Sequence, residues 1–293
     1  MPTDATATSS SWDEWTTDQL ELDAYLNRIG HTGPRTADAA TLAALHRAHV
    51  AAIPFENLDV ILGRGISVAL PDVQRKLVEA RRGGYCYEHG LLFAAVATRL
   101  GFTAQRLLAR VGDLERPRPR THLVTVLTDP GGEAWLADPG FGSGLLTPLP
   151  LRADAEATQG AWTYRLRRLD DGRWQLQEAA AGEAWLPLYA FEIAVYHAVD
   201  VEMSNHFTST WPGSPFVQRP VVVRKDEHAV RRLVGRQLTV LRPGRPDEVR
   251  DVEAAELGAV LRDLGIDLMP DEVGLLASAG AAPGAGPGRP ARP

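Results

Sequence analysis

Residues 86–100, CYEHGLLFAAVATRL, constrain the fold more than any other stretch. Wound at 3.6 residues per turn, the middle of this segment is apolar on nearly every side. It therefore reads as a helix that must be covered all round. A surface helix needs one covering layer; this one needs several. A chain of 293 residues is long enough to supply them as two or three domains. The preceding RRGGY ends one segment at Gly83 and Gly84 and starts the new helix at or next to Cys86, the only cysteine in the sequence.

The first covering layer is helical. Leu20, Leu22, Tyr25, Leu26 and Ile29 repeat at helical spacing after a cap at Thr16 or Thr17, until Gly30 stops the run. A second helix opens at Thr36, carries Leu42, Leu45 and Val50, and ends before Pro54. PDVQRKLVEARRGG reads as a third. Beyond Gly101 the pattern changes to short segments rich in β-formers: AQRLLARV, THLVTVL, EAWLAD, WTYRLRRL and RWQLQEA. PGG at 130–132 and Asp171-Gly172 mark turns between them. We read 102–195 as an antiparallel sheet or small barrel, followed by a short helix around Phe191 to Met203. RPVVVRK and RQLTVLR then read as strands, and EAAELGAVLRDLG as a helix. The fold class is α+β, with a helical domain at 16–101, a β domain at 102–195 and an α/β domain at 196–276. The polar start (1–15) and the Pro/Gly/Ala-rich end (277–293) are expected to be disordered.

Composition narrows the function. The net charge is −6, with 31 basic against 37 acidic residues, which argues against a nucleic-acid groove or a membrane-surface role. Only Lys76 and Lys225 among the basic residues are lysines, a sign of high-GC coding rather than of chemistry. No run of about 18 apolar residues, the length needed to span a membrane, appears, and the start does not read as a secretion signal. One cysteine excludes an intramolecular disulfide and suits a reducing cytoplasm.

A lone free cysteine is more often a small buried hydrophobe than a nucleophile. The surroundings of Cys86 favour the nucleophile. At a helix start, unpaired N–H groups and the positive end of the dipole favour a thiolate, and Gly-Gly lets a substrate come close. A thiolate nucleophile works with an imidazole, and the imidazole with a group that orients it. Of eight histidines, His46 and His49 lie three apart on the second helix, but no third ligand of matching spacing makes them a metal site. His89 follows Cys86 by three and projects away from the helix start. His31, His197, His206 and His228 sit in polar or loop-like contexts. His122 opens the alternating run THLVTVL, where a strand holds it rigidly. Asp138 in WLADPGFGSG ends a short strand before a Gly-rich loop; such an acid can be a turn former, yet two neighbouring strands would set it beside His122. Cys86, His122 and Asp138 are thus proposed as nucleophile, base and orienter.

These blocks resemble the arylamine N-acetyltransferases. LHRAHVAAIPFENLDV (45–60), RRGGYCYEHG, THLVTVL and ADPGFGSG match in order, with TSTWPGSPF (208–216) as a weaker fifth. The resemblance implies a helical first domain, a β-barrel second, an α/β third acting as a lid, and a cysteine-protease-like Cys-His-Asp triad where the first two meet. It implies acetyl-CoA as cosubstrate with no bound cofactor or metal, and an aromatic amine or hydrazine, including xenobiotic amines, as acceptor. Arg82 and Glu56 are implied as a structural ion pair. Phe55 and Phe141 are implied as the acceptor pocket, and Thr121, Gly140, Gly142 and Ser143 as neighbours of the thioester and pantetheine arm. The chain departs from the family at Gly90, where Asn is usual, and at Pro139, where Val is usual. Rival readings within the same chemistry are an amide synthase that closes a macrolactam, with an acyl-carrier protein as partner in place of CoA, and a thiol hydrolase. The sequence leaves the oligomeric state open.

Overall fold

The computed structural model describes residues 13–112, 115–116, 118–180 and 183–279. The disorder expected for 1–12 and 280–293 lies outside the described residues. Asp13 to Trp15, also expected to fray, are held: Asp13 accepts hydrogen bonds from the Thr17 and Trp15 amides, and Arg106 lies 4.3 Å above the Trp15 ring. At the other end, Ala277 to Ala279 finish a helix rather than begin a disordered tail.

The first hundred residues form α1 (Leu22–Ile29), α2 (Ala39–Ala52), the two-residue strand β1 (Phe55–Glu56), the single turn α3 (Leu58–Ile61), α4 (Leu70–Gln74) and α5 (Cys86–Arg99). Helix α1 starts later than its periodicity suggests. Thr16 is left-handed (φ 49°) and Leu20 is extended, so Thr17–Gln19 make only a 3-10 turn. Asp38 rather than Thr36 caps α2, its carboxylate accepting from the Thr41 amide at 2.8 Å. The third expected helix changes pitch: α4 runs into a wider π-type turn at Arg75–Glu79 and ends before Arg81 (φ 53°).

An eight-stranded antiparallel sheet follows: β2 (Thr103–Val111), β3 (His122–Thr128), β4 (Ala134–Ala137), β5 (Leu149–Pro150), β6 (Ala155–Gln159), β7 (Trp162–Arg168), β8 (Trp174–Ala180) and β9 (Leu186–Phe191). The strand order is β5-β4-β3-β2-β9-β8-β7-β6, and the edge strands β5 and β6 lie against each other, so the sheet curls into a nearly closed barrel. Alternation sends Trp162, Tyr164 and Leu166 of β7 inward. Six of the seven residues of β3 are buried, because α5 covers one face while the other lines the barrel.

After the barrel come α6 (Ala198–Thr210), α7 (Pro215–Gln218), the strands β10 (Val221–Lys225), β11 (Val230–Val234), β12 (Gln237–Leu241) and β13 (Glu248–Asp251), then α8 (Leu257–Asp263) and α9 (Pro270–Ala279). The helix expected at Phe191–Met203 begins later: Phe191 still pairs in β9, opposite Ala109 and Trp174. The last sheet has order β1-β10-β11-β12-β13, so its edge strand comes from the first hundred residues, with Phe55 opposite Val223 and Glu56 opposite Val222. Among the described residues no helix is long and apolar enough to cross a membrane.

Helix α5 belongs to two cores. Leu92, Phe93, Ala95, Val96 and Ala97 pack with α1, α2 and α4, while Cys86, Tyr87 and Leu91 pack with the barrel strands. Each fully buried Leu, Val or Phe contributes about 1.5–3 kcal/mol of transfer free energy, so both layers are held on this one helix. Gly90 is where β3 comes nearest. A Cβ there would lie 2.9 Å from Leu123 Cδ2, so the glycine leaves that space to the Leu123 side chain.

Candidate active site

Cys86 is the first residue of α5 and is buried, with 3% of its surface exposed. The helix start is fixed by Glu88, whose carboxylate accepts the Tyr85 amide at 3.0 Å. Behind it, Lys76 Nζ sits 2.8 Å from Glu88 and 2.9 Å from Asp59. Arg82 Nη2 lies 2.9 Å from Glu56 Oε1 and 3.3 Å from Asp59. The Arg82–Glu56 pair is therefore one part of a larger charged cluster below the helix terminus. Burial pushes the Glu88 carboxyl up to about 7, even against the pull of Lys76.

His122 and Asp138 reach the site from neighbouring strands. Thr125 pairs with Ala137, and continued in an antiparallel pair this register sets Asp138 opposite Val124, on the same face as His122 and diagonal to it. His122 Nε2 lies 2.8 Å from Asp138 Oδ2, and both side chains are almost fully buried. The Cys86 thiol is within hydrogen-bonding reach of the same ring and lies 3.7 Å from the Thr121 carbonyl. With Nε2 engaged by the acid, Nδ1 is the nitrogen left for sulfur. Burial pulls the imidazole down, but the Asp138 charge and hydrogen bond, with a smaller push from Cys86, raise it to about 10. At neutral pH the ring is an imidazolium between a carboxylate and a sulfur. Phe141 and Tyr189 wall it in, with ring centres 5.1 and 5.0 Å away.

Three further histidines, to none of which spacing alone assigns a role, support this geometry. His46 Nδ1 donates to the Leu146 carbonyl at 3.0 Å, and its Nε2 accepts the backbone N–H of Asp138 at 3.1 Å. The imidazole thus holds the acid's main chain. His89 Nε2 faces two carbonyls, Gly84 at 3.0 Å and Pro54 at 3.3 Å, so it must carry a proton. Its Nδ1 then accepts from His49 Nε2 at 2.7 Å, and His49 Nδ1 accepts from the Tyr25 hydroxyl at 2.8 Å. The chain of donors runs one way, from Tyr25 to the peptide ahead of the α5 cap, with every ring nitrogen satisfied. His46 and His49, adjacent on α2, turn to different partners and share no ligand point.

These rings make the protein's stability depend on pH. Burial pulls His46 and His89 down to about 4, and His49 well below its ordinary value. Unfolding lets them bind protons between pH 4 and 6.5. Their contribution is therefore present above about 6.5 and is lost as pH falls, by about 3 kcal/mol each for His46 and His89. Glu88 works against them in that window, one group against three. His122 has the opposite sign: its contribution is complete below about 6.5 and is lost as pH rises through about 10. Urea unfolding across pH 4–10 should give a stability maximum near pH 6.5. A curve still rising from pH 7 to pH 9 would contradict the imidazolium.

A cavity of about 630 Å³ opens over the sulfur, lined by Phe55, Cys86, Thr121, His122, Gly140, Phe141 and Ser143, with Phe207, Trp211 and Phe216 across it. Of the residues expected near the thioester, Gly142 is not on this lining. Gly140 is fitted to α5: an added Cβ would stand 2.9 Å from the Cys86 carbonyl and 3.2 Å from His89 Cβ. Pro139 takes the place of a backbone donor in this loop, yet the turn stays closed, since the Gly140 amide donates to Asp138 Oδ1 at 3.2 Å. The far side of the loop is held by buried Lys225 of β10. Its Nζ donates to the Ser143 carbonyl at 2.9 Å, lies 3.4 Å from Glu178 Oε2, and stands 4.1 Å over the Trp162 ring. Lys76 and Lys225 are the only lysines in the chain, and both brace segments that frame the sulfur.

The chain matches the N-acetyltransferase family over residues 38–273. It is 39% identical over 258 residues to the arylamine N-acetyltransferase of Mycolicibacterium smegmatis, covering 85% of this chain and 93% of that protein. Its structure is similar to that of the arylamine N-acetyltransferase from Mycobacterium abscessus, with a TM-score of 0.86, 37% identity, and 92% and 98% of the two chains covered. The Mycobacterium marinum enzyme in complex with CoA is similar at a TM-score of 0.81 and 33% identity, with 89% and 98% covered.

Proposed function

This chain belongs to the arylamine N-acetyltransferase family, and from that premise we propose how its own residues carry out the reaction. The protein is an acyltransferase that uses acetyl-CoA as cosubstrate and delivers the acetyl group to the nitrogen of an arylamine. The proposal extends the acceptors to arylhydrazines. It assigns the nucleophile to Cys86, the base to His122 and the orienting acid to Asp138. The observation that carries the assignment is a buried cysteine at a helix start, in reach of a ring that is itself held 2.8 Å from a buried carboxylate.

The thiol's proton is already held on His122 as the imidazolium, and the Cys86 thiolate attacks the thioester carbonyl of acetyl-CoA. The tetrahedral oxyanion is met by backbone N–H groups at the start of α5, that of Cys86 among them. The carbon–sulfur bond to CoA breaks, and the CoA sulfur leaves with a proton from His122. The acetyl group remains on Cys86. The amine then enters the same cavity, with its ring against Phe55 and Phe141. His122 removes the proton from the attacking nitrogen and returns it to the departing Cys86 sulfur. Asp138 keeps the imidazole in one tautomer and stabilises its charge without taking its proton. Donor and acceptor use one cavity in turn, which is ping-pong behaviour.

Thr121, Gly140 and Ser143 on the lining support a path for the thioester arm. The division of the chain at 101 and 195, with the last part covering the site, belongs to the same proposal. So does a cytoplasmic location, because a reducing compartment keeps an unpaired thiol free.

Incubation with acetyl-CoA and no amine should add one acetyl group to the intact protein, mapped to Cys86, with release of one equivalent of CoA. Acylation only by carrier-bound thioesters would point to an amide synthase instead. Continuous CoA release without amine would point to a hydrolase.

A further inference from the structure

Helix α6 leaves an apolar stripe uncovered. Beside the buried Val201 its inward residues are polar: Asn205 bonds the Tyr85 hydroxyl, and Ser204 and Thr208 bond the Tyr87 hydroxyl at 2.6 and 2.9 Å. Those two tyrosines flank Cys86. The outward residues at four-residue intervals are apolar and open to solvent: Val199 is 58% exposed, Met203 68%, Phe207 37%, and Trp211, just past the helix end, 48%. Phe207 and Trp211 stack with ring centres 5.0 Å apart and planes at 18°. An amphipathic helix normally buries its apolar stripe, and contiguous exposed apolar surface marks a place where something binds.

The stripe does not stand apart from the site. Its last two members, Phe207 and Trp211, line the cavity that holds Cys86, so cavity wall and exposed stripe form one surface. From Val199 to Trp211 it runs about 18 Å at helical rise. The cavity, about 630 Å³, is already of a size that holds a drug-sized ligand rather than a single ring. None of the four side chains on the stripe carries a charge. What extends the cavity along it is therefore the apolar part of a substrate whose reactive end sits at the sulfur.

We propose that this enzyme takes aromatic amines bearing an extended apolar substituent, with the ring in the cavity and the substituent lying along Val199, Met203, Phe207 and Trp211 on α6. The proposal rests on the acetyltransferase reading and names its acceptor class. The polar inner face of α6 serves it by pinning the helix to the turn that carries Cys86, leaving the apolar face to the substrate.

The test is acetylation of a series of 4-alkylanilines, from aniline to 4-octylaniline, by the wild-type chain and by a Val199→Ser, Met203→Ser double variant. Both residues are exposed and lie off the cavity lining, so the fold and the rate with aniline should be unchanged within about two-fold. Full burial of a methylene contributes about 0.8 kcal/mol, or about four-fold; contact on one side should give about two-fold per carbon in kcat/KM. The wild type should show that rise out to the longer chains, and the double variant should lose it beyond the first few carbons. A flat or falling series, or an equal rise in both proteins, overturns the proposal. So does a rise that follows the acyl chain of the CoA thioester rather than the amine. A concentration-dependent dimer that the double variant abolishes would assign the stripe to a second copy of the chain and also overturn it. Failure with aniline itself would count against the acetyltransferase reading, not against the stripe.

Discussion

Cys86→Ala is expected to lower kcat/KM for acetyl transfer to a simple aromatic amine by about 10⁴-fold or more. The sequence holds no second thiol to carry the acetyl group between the two half-reactions, so the loss should fall on chemistry and not on binding. The fold should survive. The change removes one buried sulfur at the end of a helix, a loss on the order of 1 kcal/mol, and Glu88, Lys76 and Asp59 still hold the terminus. Steady-state rates, with a urea midpoint close to the wild type, would check this. Activity above about 1% of wild type in a folded Cys86→Ala protein would remove the covalent intermediate from the mechanism.

Asp138→Asn is the second large effect, about 10³- to 10⁴-fold in kcat/KM, by analogy with loss of the acid from other triads. Asparagine fills the same space, and His46 still bonds the main chain at 138, since that bond is to a backbone amide. What disappears is the charge that outweighs burial at His122. Without it the buried ring is neutral at physiological pH, and its imidazolium no longer accompanies the sulfur. Alkylation of Cys86 by iodoacetamide gives the signature. In the wild type the imidazolium lasts until pH about 10, so alkylation should stay level from about pH 7 to pH 9. In Asp138→Asn that level profile should be lost, because no imidazolium stands beside the sulfur. Level alkylation in the variant would mean that the carboxylate does not set the charge of the ring.

The parts of this architecture that could be read along the chain are those where local pattern and burial agree. Helix α5 is apolar all round because two cores share it. The hairpin at Asp171-Gly172 is legible because Gly172, at φ 85°, adopts the left-handed conformation that the turn requires. The four-residue blocks of α3, α7 and β13 are too short to show a period, and β11 (Val230–Val234) carries adjacent Arg231 and Arg232 that break its alternation. Helix α6 begins later than the run from Phe191 to Met203 suggests, for a physical reason. Most of its apolar residues, Val201 apart, face solvent, and several polar ones face the protein, so hydrophobic spacing misstates where it packs. The functional residues that escaped were His46, His49 and His89. A signal for the last was present: a histidine on a helix expected to be covered on every side must have buried partners. Which carbonyls and rings those partners were lay more than thirty positions away for most of them, beyond the reach of spacing arguments.

The short strand at Phe55–Glu56 has a consequence for synthesis on the ribosome. Its sheet partner is at Val222 and Val223, while Phe55 also bridges to Gly84 just ahead of the nucleophile. The segment that seats the reactive sulfur therefore waits, during translation, for chain made more than 160 residues later. A fragment ending after the barrel would emerge with an unpaired edge beside its thiol. Splitting the gene between barrel and final sheet should thus yield two halves that recover a competent nucleophile only when they are brought together.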